Sequence, residues 1–140
     1  MMRFEDILKE ATQKRATDVY LITGSVPCLN IDGSFVAPEA CPDKLLSPQS
    51  VAAFAQSIMT PEQWYELEQA RELNIAYMDP KVGRFRVNAL WQRGSLGLVM
   101  RRVEMNIPTL KELGLPTVLR KICLGHSGIV LVCGATGCGK

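Results

Sequence analysis

Apolar residues recur along this chain at two different spacings, and each change of spacing marks a new element. Phe4, Ile7, Leu8 and Ala11 fall at helical intervals, which predicts an amphipathic helix over about 3–14. A helix with one apolar stripe needs a sheet to lie on. The strand-like run Asp-Val-Tyr-Leu-Ile at 18–22 follows, and Gly24 and Pro27 turn the chain. Residues 28–31 and 34–36 then flank Asp32-Gly33, a favoured two-residue hairpin turn. Pro38, Pro42 and Pro48 mark a loop. Beyond it Val51, Phe54, Ala55 and Ile58 predict a second helix, with Ser47 as N-cap and Pro48 in the first helical position. Thr60-Pro-Glu-Gln63 is a capping box, so a third helix starts there and buries Trp64 and Leu67.

Three strands are expected next, over 73–78, 84–92 and 96–103, joined at Asp79 to Gly83 and at Arg93-Gly94. Helices with an antiparallel sheet in these proportions give an α+β fold. The middle strand alternates most clearly: Phe85, Val87, Ala89 and Trp91 share one face, and Arg84, Arg86 and Asn88 the other. A polar stretch follows Val103, then a second capping box, Thr109-Leu-Lys-Glu112, with Gly114 as helix stop. The spacing predicts one domain over 1–103, a linker over 104–115 and the start of a second domain over 116–140. That second portion opens with a helix over 116–124, closed by Gly125. It continues into the apolar run 129–133, which has the composition of a strand buried on both faces of a parallel sheet.

The last residues carry the candidate chemistry. Gly134, Ala135, Thr136, Gly137, Cys138, Gly139 and Lys140 fit G-x-x-x-x-G-K directly after the apolar run. Glycines let backbone N–H groups converge on phosphate oxygens at angles a Cβ forbids, and Lys140 supplies charge for β- and γ-phosphates. The Ser or Thr that holds Mg²⁺ in such loops, and the helix after it, do not occur within the 140 residues. The expectation is a portion of a nucleotide-binding protein that stops inside its phosphate loop, with the ligands of Mg²⁺ beyond Lys140.

Composition narrows the picture only a little. A formal charge of +2 gives no footprint for nucleic acid. No apolar run approaches the roughly 18 residues of a membrane span, and the first residues lack the apolar core of a signal peptide. The expected location is therefore cytoplasmic, without membrane insertion, and the five cysteines read as reduced thiols. Cys123, His126, Cys133 and Cys138 lack the tight spacing of a zinc site, so no metal ligands are assigned. His126 follows a helix-stopping glycine and is expected to face solvent. Trp64 and Trp91 fit packing positions.

Five segments together resemble type IV pilus retraction ATPases in order and spacing: Ala-Thr-Asp-Val at 16–19, Gly-Arg-Phe-Arg-Val-Asn at 83–88, Asn-Ile-Pro-Thr at 106–109, Glu-Leu-Gly at 112–114 and the glycine loop. Met-Arg-Arg-Val-Glu at 100–104 with Asn-Ile-Pro after it is more similar to the PilU-like branch than to the PilT-like one. The resemblance implies a PAS-like N-terminal domain, the beginning of a RecA-like ATPase domain and ATP with Mg²⁺ as ligands. It also implies a homo-hexamer at the inner-membrane base of the pilus machine, with a platform protein and a paralogous retraction ATPase as partners. Two departures stand out: Cys138 replaces a Ser or Thr, and Tyr20 stands where many members have His.

The same resemblance implies catalytic parts for Lys140, Arg84, Arg86 and Arg101, the arginines lying near nucleotide at a subunit boundary. A guanidinium suits that task because its planar fork pairs phosphate oxygens and keeps its charge when desolvated. Arg93 and Arg102 are left to solvent or structure. Two other readings stay open: an ATPase of pilus assembly or type II secretion, and a non-enzymatic interaction or sensory module of PAS-like form.

Overall fold

The computed structural model describes residues 4–134, so Ala135 to Lys140 of the glycine loop lie outside the described residues. The elements run α1 (Phe4–Gln13), β1 (Asp18–Ile22), β2 (Cys28–Ile31), β3 (Ser34–Val36), α2 (Pro48–Ile58), α3 (Pro61–Ala70), β4 (Glu72–Asp79), β5 (Gly83–Gln92), β6 (Ser95–Val103) and α4 (Val118–Cys123). The chain forms two compact units, 1–105 and 106–140.

In the first unit every strand belongs to one six-stranded antiparallel sheet, ordered β3-β2-β1-β6-β5-β4. The fold is α+β. Local signals mark the ends of α2 and α3 and the β2–β3 turn. The Ser47 side chain accepts from Ser50 N–H at 3.1 Å at the head of α2. Thr60 and Gln63 exchange both capping-box bonds, at 3.0 and 3.3 Å, and α3 ends on Arg71 in the left-handed region. Asp32 and Gly33 both take positive φ, as a two-residue hairpin of this twist requires.

Alternation decides what the sheet buries. Phe85, Val87 and Ala89 of β5, Leu98 and Met100 of β6, and Val19 and Leu21 of β1 all lie on the side that packs with Ile7, Leu8 and Ala11 of α1, Val51 and Ala55 of α2 and Leu67 of α3. Truncating a side chain as large and enclosed as Phe85 costs about 3–5 kcal/mol. Trp64 and Trp91 are half-buried against this core. The Arg71 guanidinium sits 5.5 Å over the Trp91 ring. Glu10 ties the following loop to α1: its carboxylate accepts from the Glu39 and Ala40 amides at 2.8 and 3.0 Å and from Lys14 at 2.9 Å. The opposite side of the sheet carries the exposed Arg84, Arg86 and Arg101 beside half-buried Tyr20, Asn88 and Val99.

Two expectations fail in the second unit. The apolar run 129–133 forms no strand; Ile129, Leu131 and Val132 are 86%, 79% and 71% exposed. A strand exists only when a neighbour pairs its backbone, and the described residues of this unit offer none. The box at Thr109 and Glu112 closes its bonds at 2.7 and 3.3 Å, yet the segment makes turns rather than a helix. Capping bonds are local, whereas a short helix needs an apolar face to pack.

Candidate functional site

Antiparallel pairing collects the charged residues of the open sheet face into rows. Arg86 of β5 is the direct partner of Arg101 in β6, Arg101 is the partner of Asp18 in β1, and Asp18 is the partner of Asn30 in β2. Arg84 lies two residues along β5 from Arg86, opposite Val103. The three candidate arginines thus share one face. The next row holds Asn74, Asn88, Val99, Tyr20 and Cys28.

Asp18, Arg101, Arg86, Asn74, Asn88 and Val99 line a shallow cleft of about 240 Å³. Two guanidinium groups and the Asp18 carboxylate line the cleft, and beyond its rim stand Arg84 and the Glu72 carboxylate, which accepts from Asn88 at 2.8 Å, so cations outnumber carboxylates by one. Among the described residues Arg84 and Arg86 make no ion pair. Both are exposed and extend from a strand whose other face is core, so neither contributes to packing. Arg101 differs. Its Nε donates to Asp18 Oδ1 at 2.9 Å, while its side chain remains 71% exposed.

Asp18 is the one buried charged residue among the described residues. Burial opposes its ionisation, but hydrogen bonds from Arg101, Thr17 and Asn30, together with the Arg101 charge, outweigh that and hold the carboxyl below its usual range. The same hydrogen bond raises the Arg101 pKa further, so this guanidinium stays charged. Tyr20, which stands where many members of the resembled family have His, packs its ring 5.7 Å from Phe35; burial and then the Asp18 charge push its pKa up. It carries no charge to the face at neutral pH. Burial also raises the Cys28 thiol, so no ready nucleophile stands in the cleft.

This arrangement can hold an anion with several oxygens and offers no general base aimed at a substrate. Phosphate groups fit it. A larger hollow of about 730 Å³ lies elsewhere, between α1, α2 and β4, lined by Phe4, Leu45, Phe54, Ile58 and Tyr77 among others. Among the described residues Lys44 is the only cation lining it, beside the carboxylates of Glu5 and Asp79, so volume and phosphate chemistry point to different places, and chemistry decides for the arginine face.

Of the other candidate residues, Gly134 is described, and Ala135, Thr136, Gly137, Cys138, Gly139 and Lys140 are outside the described residues. Arg102, 17% exposed, donates to Ala16 O at 3.1 Å and pairs with Glu104, a fastening of β6 to the α1–β1 connection. His126, Cys123 and Cys133 are exposed. Sequence reasoning missed Asp18 as the partner of Arg101. An acid at the head of a strand-like run is unusual enough to have been a signal.

No family model matches the chain. Curated proteins do. It is 37% identical over 139 residues to the type IV pilus ATPase PilU of Pseudomonas aeruginosa, covering 99% of this chain and 36% of that protein. To the type IV pilus retraction ATPase PilT of the same organism it is 32% identical over 139 residues, covering 99% and 40%. The chain therefore spans little more than a third of the length of these relatives. Among solved structures, the pilus retraction motor PilT with bound ADP superposes with a TM-score of 0.76 at 31% identity, over 88% of this chain and 35% of that one. The Legionella pneumophila ATPase DotB does so at 0.77 and 26%, over 98% and 39%. No described helix is long and apolar enough to cross a membrane.

Proposed function

Because this chain belongs to the PilT/PilU-like ATPases, matched along nearly all its residues, we propose that it is the N-terminal portion of a P-loop ATPase that powers type IV pilus retraction. The observation that carries this reading is the set of three guanidinium groups on one open sheet face, in a chain related throughout to retraction motors. Residues 1–103 act as a PAS-like domain, 104–115 as a linker and 116–140 as the start of a RecA-like ATPase domain. Gly134 to Lys140 would then hold the phosphates through backbone N–H groups, a role compatible with Cys138 because it does not use that side chain.

ATP bound with Mg²⁺ supplies the phosphoanhydride whose hydrolysis drives the motor. This chain's own residues supply charge and position. Lys140 would supply charge for the phosphates from one subunit, while Arg84, Arg86 and Arg101 would present their forks from the sheet face of the next, in a homo-hexamer. Nucleotide-dependent contact at that boundary moves the N-terminal domain against its neighbour. The ring works in the cytoplasm at the inner-membrane base of the pilus machine, against a platform protein and alongside a paralogous ATPase. Identity to PilU and PilT favours retraction over the assembly and secretion branches.

Purified full-length ATPase and its Lys140→Ala variant test the proposal. We expect ATP turnover that the substitution abolishes, and none from residues 1–140 alone. Turnover by the 140-residue chain, or an active Lys140→Ala ring, would contradict it.

A further inference from the structure

Arg101 is held from beneath. Asp18 sits between Arg101 and Asn30 in the sheet register, and both of its oxygens are engaged by side chains. Oδ1 accepts from Arg101 Nε at 2.9 Å, and Oδ2 accepts from the Thr17 hydroxyl at 3.0 Å and the Asn30 amide at 3.2 Å. Two of these donors sit on short side chains, which restrains the carboxylate; the single Thr17 hydroxyl proton also has Asn30 O within 3.2 Å. A planar guanidinium tethered through Nε is in turn restrained in direction, and its two terminal nitrogens remain to meet a ligand. Among the described residues those terminal nitrogens have no hydrogen-bond partner. Exposed arginines elsewhere on the face have no such tether.

The register adds a second reason for the carboxylate. Arg86 and Arg101 are direct cross-strand partners, and like charges placed opposite each other repel. Asp18, next in the row, offsets that repulsion. It does so from a buried position, where a charge is tolerated only because its hydrogen bonds are complete.

We propose that Asp18 is a positioning residue for nucleotide turnover: it aims the terminal fork of Arg101 off the sheet, toward the phosphate that Arg101 meets across the subunit boundary. The inference rests on the phosphate-contact reading of Arg101 given above. It makes Arg101 the pre-aimed member of the trio and leaves Arg84 and Arg86 to adapt. Asn30 and Thr17 support it by holding the carboxylate rather than by touching ligand.

A double-mutant cycle in the assembled full-length ATPase tests this, with kcat, KM for ATP and melting temperature measured for Asp18→Asn, Arg101→Ala and the pair. Asp18→Asn keeps the size of the side chain while removing its charge. We expect it to lower kcat about 10- to 100-fold, the scale of a misaimed catalytic group, with a smaller change in KM. Added to Arg101→Ala, it should lower kcat no further. An equal loss in both backgrounds, or an unchanged kcat in Asp18→Asn alone, overturns the inference. Wild-type turnover in Arg101→Ala removes the phosphate-contact reading and this inference with it, whereas a slow Arg101→Ala beside a fast Asp18→Asn removes this inference only. Should Asp18→Asn fail to fold, Thr17→Val leaves the ion pair and removes one anchor. It should give a smaller kcat loss that is likewise absent without Arg101, and a loss that persists without Arg101 overturns the inference.

Discussion

Charged side chains on a half-buried strand ordinarily end in water, as Arg84 and Arg86 do, but Asp18 is drawn under its neighbours and stays ionised. That difference sets a pH dependence. The folded carboxyl titrates below its ordinary value of 3.8, so the unfolded chain binds the proton more readily and stability rises with pH through that window. The contribution is complete above the unfolded value and is lost as pH falls through the folded one. Glu10 acts in the same direction: burial opposes its ionisation, but Lys14 and the Glu39 and Ala40 amides prevail. We predict that the urea midpoint drops on acidification below about pH 4, and that Asp18→Asn flattens this drop in denaturation curves taken across the range. A midpoint in the wild-type protein that is independent of pH there would contradict the assignment. The outward aim of Arg84 and Arg86 was legible in the alternation of one strand. The tether of Arg101 was not, because Asp18 lies 83 residues away and meets it only through the pairing of β1 with β6.

At the scale of elements, local chemistry was readable wherever the answer is local. Ser47 and Thr60 cap the helices they precede, and the Asp32-Gly33 turn sets the β2–β3 register. The reciprocal box at Thr60 should matter to the domain, since α3 brings Leu67 into the core. Thr60→Ala is predicted to cost about 0.5–2 kcal/mol of stability, measured by chemical denaturation. In the second unit, where pairing and packing decide, two expectations failed. The run at 129–133 has every compositional mark of a buried strand and stays exposed, because strand formation is a property of two backbones. Thr109 and Glu112 make the bonds of a box without the helix, for want of a face to bury.

For the whole molecule, the α+β class followed from counting elements, but the strand order did not. Sheet neighbours β1–β2, β2–β3, β4–β5 and β5–β6 are sequential; the join of β1 to β6 crosses nearly the whole first unit and brings Asp18 to the arginines. That join also closes the core, with Val19 and Leu21 beside Met100 and Leu98 on the buried side. We predict that residues 1–105 fold alone: a protein truncated after Met105 should unfold cooperatively on heating. A broad, non-cooperative melt would mean that the core depends on residues further along the chain.

The central claim is that the arginine face serves nucleotide turnover in an assembled ring, and its most direct test is the steady-state ATPase rate of Arg84→Ala and Arg86→Ala in the full-length protein, read beside their melting temperatures. Since neither side chain packs, stability should stay within about 0.5 kcal/mol of wild type. If the face meets phosphate charge, kcat should fall steeply, on the order of 10³-fold for a lost arginine finger. A slow enzyme with an unchanged melting temperature is the predicted result; wild-type turnover in both variants would contradict the account.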